Sequence, residues 1–462
     1  MRTYDLVGVG IGPFNLALAA LAERVDGLSA LFLEEKPEFS WHPGLLLEGT
    51  SLQVPFLADL VTLADPTNPW SFLSYLRAHD RLFPFYLSER FHVPRREYDH
   101  YCRWVAAALA SCRFGAGVSA VRWDGTDEVF IVEYADRRGD AEASYQRVAA
   151  RNVVLGIGTE PAVPTELQAA LGPDVFHAAG YLGRRAALQG ARDVTVVGAG
   201  QSGAEVFLDL LRAQEAEGWA LRWLSRSPAF TPMEYSKLGL EQFTPDYVRH
   251  FRGLPAATRE RLLPAQWQLY KAISADTIAA IHDLLYERGI GGAWPDAVLA
   301  PGVSVDRIDR GGGRGGRLTL RCRHTGLGAP FTVSTDRVVL ATGYVPRRPA
   351  FLAPMAHLIR WDPHGRYQVD GDYRAALAPG VAAGLYVQNA ELHTHGVGAP
   401  DLGLGAYRAA VILNAVTGRS AYPLPRRTAF TTFGVPGAPA DPGTGPAAQT
   451  AREEPRVPAR TR

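Results

Sequence analysis

Two glycine clusters carry the chemistry open to this chain. The first reads Gly8-Val9-Gly10-Ile11-Gly12-Pro13-Phe14-Asn15 and the second Gly198-Ala199-Gly200-Gln201-Ser202-Gly203. Each follows a β-rich run and opens an amphipathic stretch, at Tyr4–Ala22 and Asp193–Arg212. That pattern predicts the strand-turn-helix of a dinucleotide-binding unit, in which glycines permit the tight turn and the pyrophosphate rests on the helix N-terminus. Gly8 serves the turn and Gly10 the close approach of backbone to phosphate. Pro13 replaces the third fingerprint glycine and is tolerated in the first helical turn, where its missing N–H costs little.

The residue ending the next strand separates one nucleotide from another. Ala30-Leu31-Phe32-Leu33-Glu34-Glu35 ends in acid, about 20 residues past the first loop, as a ribose contact requires. A carboxylate at Glu34 accepts hydrogen bonds from ribose hydroxyls and repels a 2′-phosphate, which selects FAD. After the second loop, Leu221–Ser225 ends at Arg226, and a guanidinium there suits the 2′-phosphate of NADPH. Disulfide reductases share this layout but need a closely spaced cysteine pair. Cys102, Cys112 and Cys322 have no such spacing, which leaves direct hydride oxidation or oxygen chemistry.

The elements that hold these loops set the fold class. Val153-Val154-Leu155-Gly156-Ile157-Gly158 reads as a buried strand ending at a ligand-facing turn, and Val338–Tyr344 repeats the pattern after the second loop. This order predicts an α/β protein with two Rossmann-like domains, the NADPH domain inserted into the FAD domain, and a smaller substrate-binding region. The expected spans are 1–180 for the first part of the FAD domain, 181–332 for the insertion with segments of the substrate region, and 333–434 for the completion. From 435 to 462 the chain has almost no large apolar side chains and is expected to be a disordered tail.

The chain has 462 residues, 48 Lys and Arg against 47 Asp and Glu, and a hydrophobic share of 47%. With no basic excess, nucleic acid and anionic membrane are not expected partners. The run Arg310–Arg317 (RGGGRGGR) reads as a turn between strands, since no aromatics interleave. No apolar run reaches the 18 residues of a membrane span. Gly, Pro and Asn interrupt the apolar N-terminus, against a signal peptide. Three unpaired cysteines fit a reducing, cytoplasmic setting.

Further stretches complete a recognisable set: Phe39-Ser40-Trp41-His42-Pro43-Gly44, Leu52-Gln53-Val54-Pro55-Phe56-Leu57-Ala58-Asp59-Leu60, Ala64-Asp65-Pro66-Thr67, Ala341-Thr342-Gly343-Tyr344 and Asn389-Ala390-Glu391-Leu392-His393-Thr394-His395-Gly396. With the two loops, they make the chain, from Tyr4 to Gly418, resemble the siderophore-pathway N-hydroxylating monooxygenases of lysine, ornithine and diamines. The resemblance implies FAD and NADPH as cofactors, an amine and O2 as substrates, and N-hydroxylation through a flavin hydroperoxide, with no catalytic side chain required. It implies a homo-oligomer, dimer or tetramer.

By the same resemblance Gln53 and Asn389 are flavin-side candidates, Trp41 and His42 line the flavin's approach, and Leu402–Leu404 close the pocket. Gly12, Gln201, Ser202, Thr342, Gly343 and Tyr344 join the cofactor contacts. For Trp41 the alternative is a core residue, and for His42 a loop histidine. His393 and His395 lack a third ligand, and no metal is expected.

The substrate is read from an absence. Members that act on amino acids carry a lysine where this chain has Ala58, placed to pair the α-carboxylate. Without it, a carboxylate would be desolvated unpaired at a cost of several kcal/mol. Leu240 stands where the ornithine enzymes have a polar asparagine. An aliphatic diamine, cadaverine or putrescine, is therefore expected. L-Lysine or L-ornithine is the alternative, with Lys237 as a substitute cation unless it is a solvated helix-face charge. A non-catalytic redox-sensing flavoprotein and a Baeyer–Villiger or sulfur-oxidising monooxygenase are the remaining alternatives.

Overall fold

A computed structural model describes residues 1–137, 144–311 and 316–436. Two five-stranded parallel sheets organise it. The first runs in the order Gly384–Val387, Asn152–Leu155, Leu6–Val9, Ala30–Leu33, Cys112–Arg113. The second runs Val175–His177, Arg337–Leu340, Asp193–Val197, Ala220–Ser225, Ala297–Pro301. In each, the strand that feeds the glycine loop lies at the centre, where strand order reverses. That reversal opens the crevice in which such sheets bind nucleotides.

Continuous apolar strands follow from burial on both faces. Val7, Val9, Leu31, Leu33, Val153 and Leu155 point into one core, and Leu6, Phe32 and Val154 into the other. Helices Pro13–Ala22 and Gly405–Thr417 cover the second of these. A mixed sheet covers the first: Ser144–Ala150, Val129–Asp136 and Ala116–Asp124 run antiparallel to one another, and Thr3–Tyr4 adds to its edge in parallel with Ser144–Ala150. The other unit repeats the plan, with its own antiparallel strands Val303–Arg310, Leu318–His324 and Pro330–Thr335.

Because Gly384–Val387 pairs with Asn152–Leu155, the second unit is inserted in the first. The chain crosses between them twice, side by side, as the antiparallel strands Thr159–Pro161 and Tyr344–Pro346. One expectation differs. Arg337–Leu340, assigned from sequence to the completion of the first unit, pairs within the second sheet, as does Val175–His177. Apolar runs of equal length suit either sheet, and only the register of the backbone decides between them.

The glycine run between Val303–Arg310 and Leu318–His324 does join antiparallel strands, although its centre, 312–315, and the tail, 437–462, lie outside the described residues. Among the described residues no helix is long and apolar enough to cross a membrane.

The units interlock. Leu45 and Leu47, from the segment after Trp41-His42-Pro43-Gly44, are each 3% exposed and belong to the core of the second unit. Gly44 lies so close to that unit that a Cβ would meet the Ala179 carbonyl oxygen at 2.0 Å.

Candidate functional site

The first loop is built for close approach. Gly10 has φ +85°, and a Cβ there would meet the Gly156 carbonyl oxygen at 2.7 Å. Gly8 is required for a different reason than the turn: a Cβ would strike the Phe32 ring at 2.2 Å. At Gly12 the nearest atom to a Cβ would be 3.8 Å away, so the ground above the helix start is open. Gly12 caps helix Pro13–Ala22 with no side-chain acceptor for its first amides, which leaves those donors to an anion. Asn15, fully buried, braces the loop through Nδ2 to the Val9 and Gly10 carbonyls, and accepts from Gln388 at 2.7 Å.

Glu34 sits at the strand end as expected, but its carboxylate is partly engaged. It accepts from Ile11 N at 2.8 Å and from Lys36 N at 3.1 Å, so it also closes the glycine loop.

The second loop is similar. Gly198 has φ +122° and a Cβ would lie 2.2 Å from the Ala341 oxygen. Gly200 caps helix Gln201–Glu217, again without a side-chain acceptor. Gly203 packs against Gly198 O, with 2.2 Å to a Cβ, and Ser202 is half-buried in the first turn. Gln201 is committed elsewhere: its amide donates to Glu205 and Thr277 and accepts from Ser274 N. Arg226 follows strand Ala220–Ser225 and is exposed, with no carboxylate partner among the described residues.

Between the loops stands a row of rings. Trp41 packs edge-on to Tyr98 and His42, and His42 and His177 both stand edge-on to Tyr344. Trp41 is half-buried and its backbone N–H donates to Asp99, so it is core and rim at once. His42 has left-handed backbone, φ 46°. It is exposed by area yet deep in the protein, and burial, with Arg95 and Lys36 near, pushes its conjugate acid down to about 4. An open face on a deep residue marks the floor of a cleft. Gly343 (φ +92°) accepts from Ala162 N and pairs with His177, and Thr342 donates to Ala162. The Tyr344 hydroxyl is buried without a partner.

Gln53 lies in strand Ser51–Pro55, paired with His92–Pro94. Its Nε2 is buried with no acceptor, an orphan donor that a ligand carbonyl or ring nitrogen would satisfy. Its backbone carbonyl accepts from the Tyr235 hydroxyl at 2.8 Å. Asn389 adopts left-handed φ 64° after strand Gly384–Val387 and is half-buried. His393 and His395 are occupied by Tyr367 O and Thr394, and no cluster of three metal-capable side chains occurs among the described residues.

Ala58 is buried, and its Cβ would lie 3.9 Å from a Cβ on Gly403. On the other side of that point is a residue that motif reading passed over, Asp401, whose Oδ1 would lie 2.8 Å from the same Cβ and which accepts from Gly403 N at 2.6 Å. Burial raises its carboxyl to about 6, and its charge helps hold up the half-buried Tyr235 phenol. Leu402 is half-buried next to it, packed on the core beneath helices Pro13–Ala22 and Gly405–Thr417. Lys237 and Leu240, at the ends of helix Lys237–Leu240, are exposed. The charge beside Ala58 is thus negative.

A sequence profile of the L-lysine 6-monooxygenase/L-ornithine 5-monooxygenase family matches residues 2–346. The chain belongs to this family. It is 45% identical over 452 residues to a rhizobactin siderophore biosynthesis protein of Rhizobium meliloti, covering 96% of this chain and 98% of that one. It is 42% identical to a putrescine N-hydroxylase of Shewanella oneidensis, over 93% of this chain and 84% of that one. A solved FAD-bound cadaverine monooxygenase of the desferrioxamine pathway, from Erwinia amylovora, superimposes with TM-score 0.89 at 39% identity, over 94% of this chain and 99% of that one.

Proposed function

We propose that this N-monooxygenase hydroxylates one primary amine of an aliphatic α,ω-diamine, cadaverine or putrescine, with FAD, NADPH and O2, for a hydroxamate siderophore. The balance is R–NH2 + O2 + NADPH + H⁺ → R–NHOH + NADP⁺ + H2O. The observation that carries the substrate is that Ala58 and Asp401 flank the same point beside Gly403: an amino acid's carboxylate would meet a carboxylate there, and a diamine's distal ammonium would meet its counter-ion.

Bound FAD supplies the electrons that, with O2, place one oxygen atom on nitrogen. The protein's part is to bind, orient and exclude water. The uncapped amides behind Gly12 and the loop at Gly10 fit the FAD pyrophosphate, and Glu34 its ribose. The orphan Gln53 amide would donate to the cofactor ring or the substrate, and Asn389 would stand on the flavin side. Gly198, Gly200, Gly203 and Arg226 take NADPH, with the Gln201 side chain acting through helix packing. Trp41, His42, Thr342, Gly343 and Tyr344 line the junction, and Leu402 walls the amine pocket. Asp401 holds the distal ammonium, leaving the other amine free to lose its proton and react.

The deciding experiment is a hydroxylamine assay with NADPH against cadaverine, putrescine, lysine and ornithine. Coupled turnover confined to the amino acids would overturn the diamine reading. We further propose a cytoplasmic homo-oligomer, dimer or tetramer. The exposed apolar helix Leu82–Leu87, with Phe83 and Leu87 bare, gives such an assembly a face to cover, and light scattering tests it.

A further inference from the structure

The ion pair of Arg95 with Glu205 crosses between the two nucleotide units, and neither partner belongs to a glycine loop. Arg95 opens helix Arg95–Ala108 of the first unit, and its Nη1 lies 2.7 Å from Glu205 Oε2. Glu205 sits one turn into Gln201–Glu217, the helix whose N-terminus forms the second loop. Their side chains are only 12% and 3% exposed. Arg95 Nε donates to the Ser51 carbonyl at 3.2 Å, and its backbone N–H to the Thr50 carbonyl at 3.0 Å. It is therefore fixed to the strand that carries Gln53. Glu205 is fixed on its own side, accepting from Gln201 at 2.8 Å, and Gln201 in turn accepts from Ser274 N at 2.7 Å.

We propose that Arg95 and Glu205 are positioning residues, a strut that sets the nicotinamide-nucleotide helix at a fixed distance and angle from the Gln53 strand. The inference rests on the two-nucleotide reading above. A buried ion pair is a poor source of stability, because desolvation offsets most of its attraction, but its geometry is strict. The apolar grip of Leu45 and Leu47 in the second core has the opposite character, strong but without direction. It holds the units together and does not by itself fix their angle. The strut adds a direction, as does the Tyr235 hydroxyl on the Gln53 carbonyl, and it lies where the angle matters. The Tyr344 phenol feels both charges and is pushed up to about 12, chiefly by burial. Tyr344 stands on the second crossing, edge-on to His42.

The test uses full-length, FAD-loaded protein as Arg95→Met, Glu205→Gln and the double variant. The readouts are the NADP⁺ dissociation constant, by fluorescence titration without turnover, and the share of NADPH electrons lost to peroxide with cadaverine. Each single variant is expected to bind NADP⁺ about tenfold more weakly and to leak more peroxide at unchanged flavin content, and the double no more weakly than the worse single. Wild-type affinity in both singles, or losses that multiply in the double, would overturn the strut. If an orphaned buried charge keeps a single variant from folding, the double variant leaves no orphan charge and carries the test alone. Tenfold weaker NADP⁺ at full flavin then supports the strut, and wild-type affinity overturns it. A wild-type protein that binds no NADP⁺ would overturn the two-nucleotide reading itself, and the strut with it.

Discussion

The Tyr235 hydroxyl, in the inserted unit, donates a 2.8 Å hydrogen bond to the backbone carbonyl of Gln53, in the first. Burial pushes the phenol up to about 12, so it remains a donor over any working pH. Tyr235→Phe should keep full flavin but strand the Gln53 carbonyl, at about 1–3 kcal/mol. We expect kcat/KM for the diamine to fall roughly tenfold and peroxide to rise. Unchanged coupling would show that the bond does not position the Gln53 strand.

Asp401 sets a pH dependence. Its carboxyl is raised to about 6, so it is charged above that pH and neutral below. The KM for cadaverine should therefore climb as pH falls through about 6. Asp401→Asn should lose that inflection and bind diamine some tenfold to a hundredfold more weakly at pH 8, the loss of one charge-assisted contact of about 1.5–3 kcal/mol. An inflection that persists in Asp401→Asn belongs to another group.

Ala58→Lys would put a cation beside Asp401. It should repel a distal ammonium and move specificity toward lysine and ornithine, by about 2–4 kcal/mol in the ratio of specificity constants. A substrate ratio equal to wild type would remove Ala58 as a determinant.

Arg226→Ala should raise the KM for NADPH roughly tenfold to a hundredfold, the worth of one charge-assisted contact, and hardly touch NADH. Its guanidinium is exposed and has no carboxylate partner among the described residues, which leaves it open to that contact. Equal losses with both donors would place the 2′-phosphate elsewhere.

Gly10→Val should purify without FAD. The residue has φ +85° and a Cβ would sit 2.7 Å from a backbone oxygen, so strain and steric overlap act together. A yellow variant at full occupancy would move the FAD site away from this loop.

The glycine loops and their strands were legible because local chain geometry dictates them: Gly10 and Gly198 need positive φ wherever they occur. The sheet that receives Arg337–Leu340 was not, since backbone pairing over long sequence distance leaves no periodic trace. Gln201 looked like a cofactor contact from its place in the motif, but Ser274 and Thr277, more than 70 residues on, claim its amide. Asp401 lay one residue before a named position and was missed, because its importance comes from its neighbour Ala58, not from any motif. Arg95 and Glu205 were invisible for the same reason, being 110 residues apart.

Leu45 and Leu47 have a consequence for synthesis. They leave the ribosome long before the strands and helix that enclose them, and until Gln201–Glu217 emerges they have no core to enter. The first sheet must wait still longer for its edge strand Gly384–Val387. The nascent chain thus carries bare leucines and an unpaired sheet edge through most of translation, and the inserted unit cut out at the crossings would lack Leu45 and Leu47 from its core.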